Sequence, residues 1–196
     1  MAEGCVVGDW AVIDPGTVLG AVVGAGARIG ARCVVHSGAR LGFSCRPTAP
    51  AQSGWPKAAS FGGVVVGDGV EIGPNAVIED GETRPTTIAD GVRIGALAMI
   101  GHDCSIGPGS ELVAMVGLAG GVQIGTGALL MGQVGVSNRV RIGDRAMVFG
   151  KSGVLSHVPD NGRYMGYPAW PRDQWLRAQA MLRHSTRRPR AARPGT

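Results

Sequence analysis

The stretch "IADGVRIGALAMIGHDCSIGPGSELVAMVGLAGGVQIGTGALL", residues 88–130, repeats a pattern every six residues. Ile88, Ile94, Ile100, Ile106, Leu112, Leu118, Ile124 and Leu130 open successive units, and the series runs on without slippage through Val136, Ile142, Val148 and Val154. Glycine often follows the aliphatic residue. A helix turns every ~3.6 residues and cannot hold a six-residue stripe on one face, while a hairpin meander would show period two and no fixed six. Short parallel strands, each pointing one aliphatic inward and ending in a turn, satisfy the pattern. The spacing therefore predicts an all-β chain folded as a parallel β-helix, a solenoid of hexapeptide units.

Outward from this block the same unit recurs at Val7, Ile13 and Leu19, then, after a phase slip, at Val23, Ile29, Val35 and Leu41, and again at Val66, Ile72 and Ile78. The solenoid is expected over residues 1–159, interrupted by a loop at about 43–63. That loop carries Phe43, Trp55 and Phe61 in a chain poor in aromatics, which marks it as a candidate binding element, with Phe43 and Trp55 as substrate-binding candidates. A shorter insertion, "EDGETRPTT", lies between Ile78 and Ile88. Solenoid insertions leave the stack as loops, often on the binding face.

Residues 160–196 form a C-terminal extension. Pro171 at a first helical turn predicts a helix at about 171–185, followed by a basic tail. From Arg172 onward there are seven Arg and one Asp, whereas the preceding residues hold 12 basic and 13 acidic side chains. The excess positive charge thus belongs to the tail, which suits an acidic partner. No aromatic-basic interleaving or known module points to nucleic acid.

Glycine is 34 of 196 residues and aromatics are 5%, as expected for many tight turns around a narrow aliphatic core. No run of about 18 or more apolar residues predicts a membrane span, and "MAEGCVVGDW" does not resemble a secretory signal. Four cysteines without C-x-x-C spacing fit a reduced, cytoplasmic setting. Cys33, Cys45 and Cys104 occupy the fifth position of their units and are expected to fill the core rather than act as thiolates.

His102 stands at the third position of its unit, near a corner. Gly120, in "LAGGVQ", follows eighteen residues later. If three units make one coil, the two residues stack side by side. Glycine leaves its backbone N–H approachable because no Cβ screens it. An imidazole base beside such a donor suits acyl transfer: the base takes a proton from the attacking group and the N–H stabilises the oxyanion.

The run "IGHDCSIG...LAGGVQIGTGALLMG" resembles the catalytic stretch of hexapeptide-repeat acyltransferases. The order of "LGFS", "VVVGDGVEIGPNAVIEDG", "ADGVRI", "GHDCSIG" and "GYPAWPRDQW" resembles the UDP-3-O-acylglucosamine N-acyltransferases of lipid A synthesis. This resemblance implies a left-handed parallel β-helix with 18 residues per coil, a homotrimer with active sites between neighbouring prisms, His102 as general base and Gly120 as oxyanion donor. It further implies transfer from an acyl carrier protein or coenzyme A thioester to an amine, on a nucleotide-linked amino sugar, with no bound cofactor. Gly150, Ser152, Arg172, Trp175, Arg177 and Arg183 are the candidates for binding the thioester or its carrier. The family's N-terminal uridine-binding domain is not expected here. A second family histidine falls at Arg139, a candidate for a phosphate or carboxylate on the acceptor, and a family acidic residue falls at Gly95.

Three alternatives stand beside this. An acetyl-CoA-dependent sugar N- or O-acetyltransferase would use the same stretch, and a non-catalytic solenoid would use none of it. A zinc enzyme on this scaffold would need three clustered histidines, whereas His36, His102, His157 and His184 are scattered, so no metal is expected.

Overall fold

A computed structural model describes residues 5–43 and 63–185. Its strands build three parallel sheets that face one another as the sides of a prism. The first sheet stacks β1 (Val6–Val7), β4 (Val22–Val23), β7 (Arg40–Leu41), β10 (Val77–Ile78), β13 (Met99–Ile100), β16 (Gly117–Leu118), β19 (Gly135–Val136) and β22 (Gly153–Val154). The second stacks β2 (Val12–Ile13), β5 (Arg28–Ile29), β8 (Val64–Val66), β11 (Thr86–Ile88), β14 (Ser105–Ile106), β17 (Gln123–Ile124) and β20 (Arg141–Ile142). The third holds β3 (Val18–Leu19), β6 (Val34–Val35), β9 (Glu71–Ile72), β12 (Arg93–Ile94), β15 (Glu111–Leu112), β18 (Leu129–Leu130), β21 (Met147–Val148) and β23 (Arg163–Met165). There β24 (Trp170–Pro171) adds an antiparallel edge.

Between Ile88 and Val154 each strand pairs with the strand three units later, so one coil spans 18 residues there, whereas the first coil spans 16, as Val6 pairs Val22. Ile88 pairs Ile106, Ile106 pairs Ile124, and Ile124 pairs Ile142. The twelve aliphatics from Ile88 to Val154 are all 4% exposed or less. Each such burial stabilises the fold by roughly 1.5–3 kcal/mol over leaving the side chain in water. Val6, Val12 and Val18 stand just before first-position aliphatics, face outward and are exposed, as Arg28 and Arg40 are in later coils; the first-position Val7, with no coil packed before it among the described residues, is 38% exposed.

Within a unit each position has its own job. The fourth residue takes a left-handed backbone conformation to turn the corner, as at Arg32, Asn75, Leu97, Asp103, Met115 and Arg139. The fifth points inward and is small. Four fifth-position donors bond the second-position carbonyl one coil on: Thr17 to Gly30 (2.7 Å), Cys33 to Gly67 (3.1 Å), Cys104 to Ala119 (3.2 Å) and Ser110 to Gly125 (2.6 Å). Cys33 and Cys104 are buried in the core; Cys45, Trp55 and Phe61 lie outside the described residues.

The stack runs further than the periodicity indicates. Val158 bridges Ile142 in parallel, and β23 pairs β21 through Met147–Arg163 and Val148–Tyr164, completing an eighth coil. The unit from Val154 to Val158 is two residues short, which breaks the sequence period without ending the prism. Helix α1 (Arg172–Ser185) follows, with Trp175 set so closely over Gly166 that a side chain there would strike its indole. No α1 residue is buried.

Candidate active site

His102 sits at the corner where β13 leaves the first sheet for the second. Its backbone is fixed on both sides: its N–H donates to Glu79 Oε2 (3.0 Å), and its carbonyl accepts the Gly121 N–H (2.8 Å). The register Met99–Gly117 and Ile100–Leu118 carries through to place Gly120 directly over the imidazole. A Cβ built on Gly120 would collide with His102 Nε2. The opposite nitrogen, Nδ1, faces carboxylates: Asp103 Oδ2 at 3.4 Å and Glu82 Oε2 at 3.8 Å. A carboxylate can only accept, so this environment puts the ring proton on Nδ1 and leaves the Nε2 lone pair toward Gly120.

The Gly120 N–H is the third-position amide of its unit, at a corner of the prism. At another corner the third-position N–H is capped by the carboxylate of the third-position Asp one coil on: Ala31 by Asp68 (2.9 Å), Asp68 by Asp90 (2.8 Å), Thr126 by Asp144 (2.9 Å) and Asp144 by Asp160 (3.0 Å). These corners show that the third-position amide is a ready acceptor-binding point for an anionic oxygen. Above Gly120 the equivalent residue is Asn138. No hydrogen bond connects it to the Gly120 N–H among the described residues.

Around this pair lies an open cleft of about 740 Å³. Glu82, Thr83 and Arg84 form one wall; Gln123, Asn138 and Arg139 form the other, with His102, Asp103, Gly120 and Gly121 between. None of these lining residues has an apolar side chain. Arg139 reaches the cleft two coils from His102, its aliphatic stem over Gly121. Asp103 is 9% exposed. Burial alone would raise its pKa, but the N–H groups of Thr83, Arg84 and Glu82 and the Thr83 hydroxyl outweigh it and hold the carboxyl at about 2.

The shorter insertion thus builds half of the cleft. For Glu79, Glu82, Thr83 and Arg84 the only signal in the sequence is an insertion too long for one unit and rich in polar residues; Asp103 stands in the regular repeat directly after His102, at a position that only the fold turns toward the insertion. The longer loop falls largely outside the described residues, Trp55 included. Phe43 lies away from the cleft, with Arg40 over its ring at 5.6 Å.

The proposed thioester group gathers elsewhere on the chain. Gly150 lies at the corner between the third and first sheets, close to the Gly132 carbonyl. Ser152 is buried, its hydroxyl donating to the Phe149 carbonyl (2.6 Å) and accepting the Gly166 N–H (3.1 Å), so it presents no free group to a ligand. Arg172 stands over the Phe149 ring at 5.9 Å and pairs with Asp173 at 2.9 Å. Trp175 covers Gly166, and Arg177 and Arg183 are exposed on α1. Among the described residues no group of three or more His, Cys, Asp or Glu side chains is arranged to hold a metal ion, and no helix is long and apolar enough to cross a membrane.

Residues 85–120 match the bacterial transferase hexapeptide (six repeats) family. The chain is 36% identical over 166 residues to a UDP-3-O-acylglucosamine N-acyltransferase of Methylobacterium nodulans, covering 85% of this chain and 47% of that protein. It is 44% identical over 155 residues to UDP-3-O-acylglucosamine N-acyltransferase 2 of Legionella pneumophila, covering 79% and 45%. The chain therefore spans about half the length of the curated relatives it matches. Among solved structures, UDP-N-acetylglucosamine acyltransferase of Francisella novicida superimposes with a TM-score of 0.78 at 30% identity, over 89% of this chain and 65% of that one. The O-acyltransferase of Moraxella catarrhalis gives 0.76 at 25% identity, over 93% and 76%. The chain is thus a hexapeptide-repeat protein with the left-handed parallel β-helix fold, similar in sequence to UDP-3-O-acylglucosamine N-acyltransferases and in structure to UDP-N-acetylglucosamine acyltransferases.

Proposed function

We propose that this chain is an acyltransferase that moves an acyl group from an acyl carrier protein or coenzyme A thioester to the amine of a nucleotide-linked amino sugar. The observation that carries this is the stacking of His102 Nε2 against the unshielded backbone of Gly120 at the floor of a polar cleft. The acceptor nitrogen attacks the thioester carbonyl carbon while Nε2 takes its proton. The Gly120 N–H receives the oxyanion of the tetrahedral intermediate. Collapse breaks the carbon–sulfur bond, and the departing thiolate takes the proton back from the imidazolium. No covalent enzyme intermediate is needed.

The lining favours the polar reactant in this cleft, since sugar hydroxyls and an amine match Glu82, Thr83, Asn138 and Gln123. Arg139 suits a phosphate of the nucleotide portion. The acyl chain needs apolar walls that these residues do not supply. A homotrimer in the cytoplasm belongs to the same reading: a neighbouring prism would bring its own Gly150 edge and α1 arginines to the thioester side.

The test is transfer from acyl carrier protein and coenzyme A thioesters to UDP-linked amino sugars, by wild type and His102→Ala. General-base loss is expected to lower kcat by about 10²–10⁴-fold. Equal rates would remove His102 from the mechanism, and absence of transfer by wild type to any amine or hydroxyl acceptor would favour a non-catalytic solenoid.

A further inference from the structure

Asp103 turns the corner after His102 with φ 58, and that conformation aims its side chain back across the insertion between β10 and β11. Oδ1 accepts three successive backbone N–H groups, from Glu82 (2.7 Å), Thr83 (3.0 Å) and Arg84 (3.2 Å). Oδ2 accepts the Thr83 hydroxyl (3.0 Å). The Asp103 carbonyl accepts Arg84 Nε (3.1 Å) and Nη2 (2.8 Å). Consecutive amides converging on one oxygen form an anion nest, here filled by the protein's own carboxylate. Residues 82–84 have no strand pairing of their own, so Asp103 supplies much of what fixes their path. Those three residues are also one wall of the cleft.

We propose that Asp103 is a positioning residue for acceptor recognition: its carboxylate folds residues 82–84 into the cleft wall and so places Glu82 and Arg84 against the polar substrate. Its proximity to His102 Nδ1 is secondary, because the carboxylate is already engaged by four donors from the insertion. The acceptor half of this inference rests on the acyltransferase reading; the clamp itself does not.

Residue-resolved amide hydrogen exchange separates the two. In Asp103→Ala, protection at Glu82, Thr83 and Arg84 is expected to fall by about tenfold or more, the loss that accompanies removal of a charged acceptor. Asp103→Asn, which tolerates the left-handed backbone and keeps a neutral acceptor, should fall between that variant and wild type. The Gly121 amide, bonded to the His102 carbonyl, should keep its protection in both and report an intact prism. In turnover, the KM for the UDP-linked amino sugar should rise by about tenfold with the thioester KM unchanged, and the pH midpoint of kcat should stay in place.

Unchanged exchange at residues 82–84 in both variants would overturn the clamp. A displaced pH midpoint with unchanged acceptor KM would show that Asp103 acts on His102 instead. If Asp103→Ala does not fold, Asp103→Asn with Thr83→Val, which deletes the hydroxyl bond alone, decides the same question. If wild type transfers no acyl group, the proposed function fails while the exchange result still judges the clamp.

Discussion

The His102 imidazole lies against the α-carbon of Gly120 in the next coil, so closely that one methyl group at position 120 would take the space of Nε2. Gly120→Ala therefore displaces the base and shields the amide together. The clash falls on a side chain that can rotate away, so the melting temperature should move by only a few degrees. Turnover should fall by at least about 10²-fold, the usual loss for one oxyanion donor. Because both changes strike one unit, His102→Ala/Gly120→Ala should be little slower than His102→Ala alone. Steady-state kcat with calorimetry on the three variants checks this; full activity in Gly120→Ala contradicts the site.

Asp103 predicts the direction of an acid effect. Its folded pKa, about 2, is below its ordinary 3.8. A depressed carboxylate contributes stability above its unfolded pKa and loses it as pH falls through the folded value. At about 1.4 kcal/mol per pKa unit the contribution is roughly 2 kcal/mol, present from pH 5 upward and fading between pH 4 and 2. Urea unfolding of wild type and Asp103→Asn should thus differ most at pH 5 to 7 and converge near pH 2. A gap that stays constant across that range would mean the ionised carboxylate is not what holds the insertion.

Cys104 lies two residues from the base yet is buried, and burial pushes its thiol up to about 11. At pH 8 it is a protonated donor to the Ala119 carbonyl. Native protein treated with iodoacetamide should label the half-buried Cys5 and leave Cys104 and Cys33 unmodified until urea is added, as read by peptide mapping. Cys104→Ser should keep most turnover, since Ser110 makes the same bond in the next unit. Loss of transfer by a folded Cys104→Ser would bring back a thiol mechanism.

The core could be read from sequence because each unit repeats one demand, an aliphatic at the first position. The pairing of His102 with Gly120 needed one thing more than that count, three units per coil, which the family resemblance implied. What escaped were features that depart from the period. The eighth coil is hidden by the short unit between Val154 and Val158, and the contributions of Glu82, Thr83 and Arg84 depend on where an irregular backbone turns its amides. Spacing also does not reveal handedness. Arg139 could be read from sequence because it stays in register, one coil above Gly121 at the same corner.

The same register separates costly from harmless substitutions. Leu112 is fully buried at a first position, whereas Met115, three residues on, is 48% exposed at a corner. Leu112→Ala should lower unfolding stability by about 2–5 kcal/mol, since coils on either side cannot collapse into the gap. Met115→Ala should stay within about 0.5 kcal/mol. Denaturant melts of the two variants test this, and equal losses would contradict the inward assignment.

The arginines of α1 address the choice of thioester. Arg177 is exposed on a helix with no buried residue, so Arg177→Glu can reverse its charge without disturbing the prism. An acyl carrier protein that docks on α1 through acidic residues would meet repulsion, while a coenzyme A thioester, bound through its own small groups, would not depend on that contact. The KM for the carrier-protein thioester should rise by about tenfold at low salt and recover part of the difference as salt screens the charge. The coenzyme A thioester should be used as before. Gel filtration alongside must show the same assembly as wild type, so that a change in subunit contacts is not read as a change in docking. Equal use of both thioesters by Arg177→Glu across the salt series would move carrier recognition off this helix.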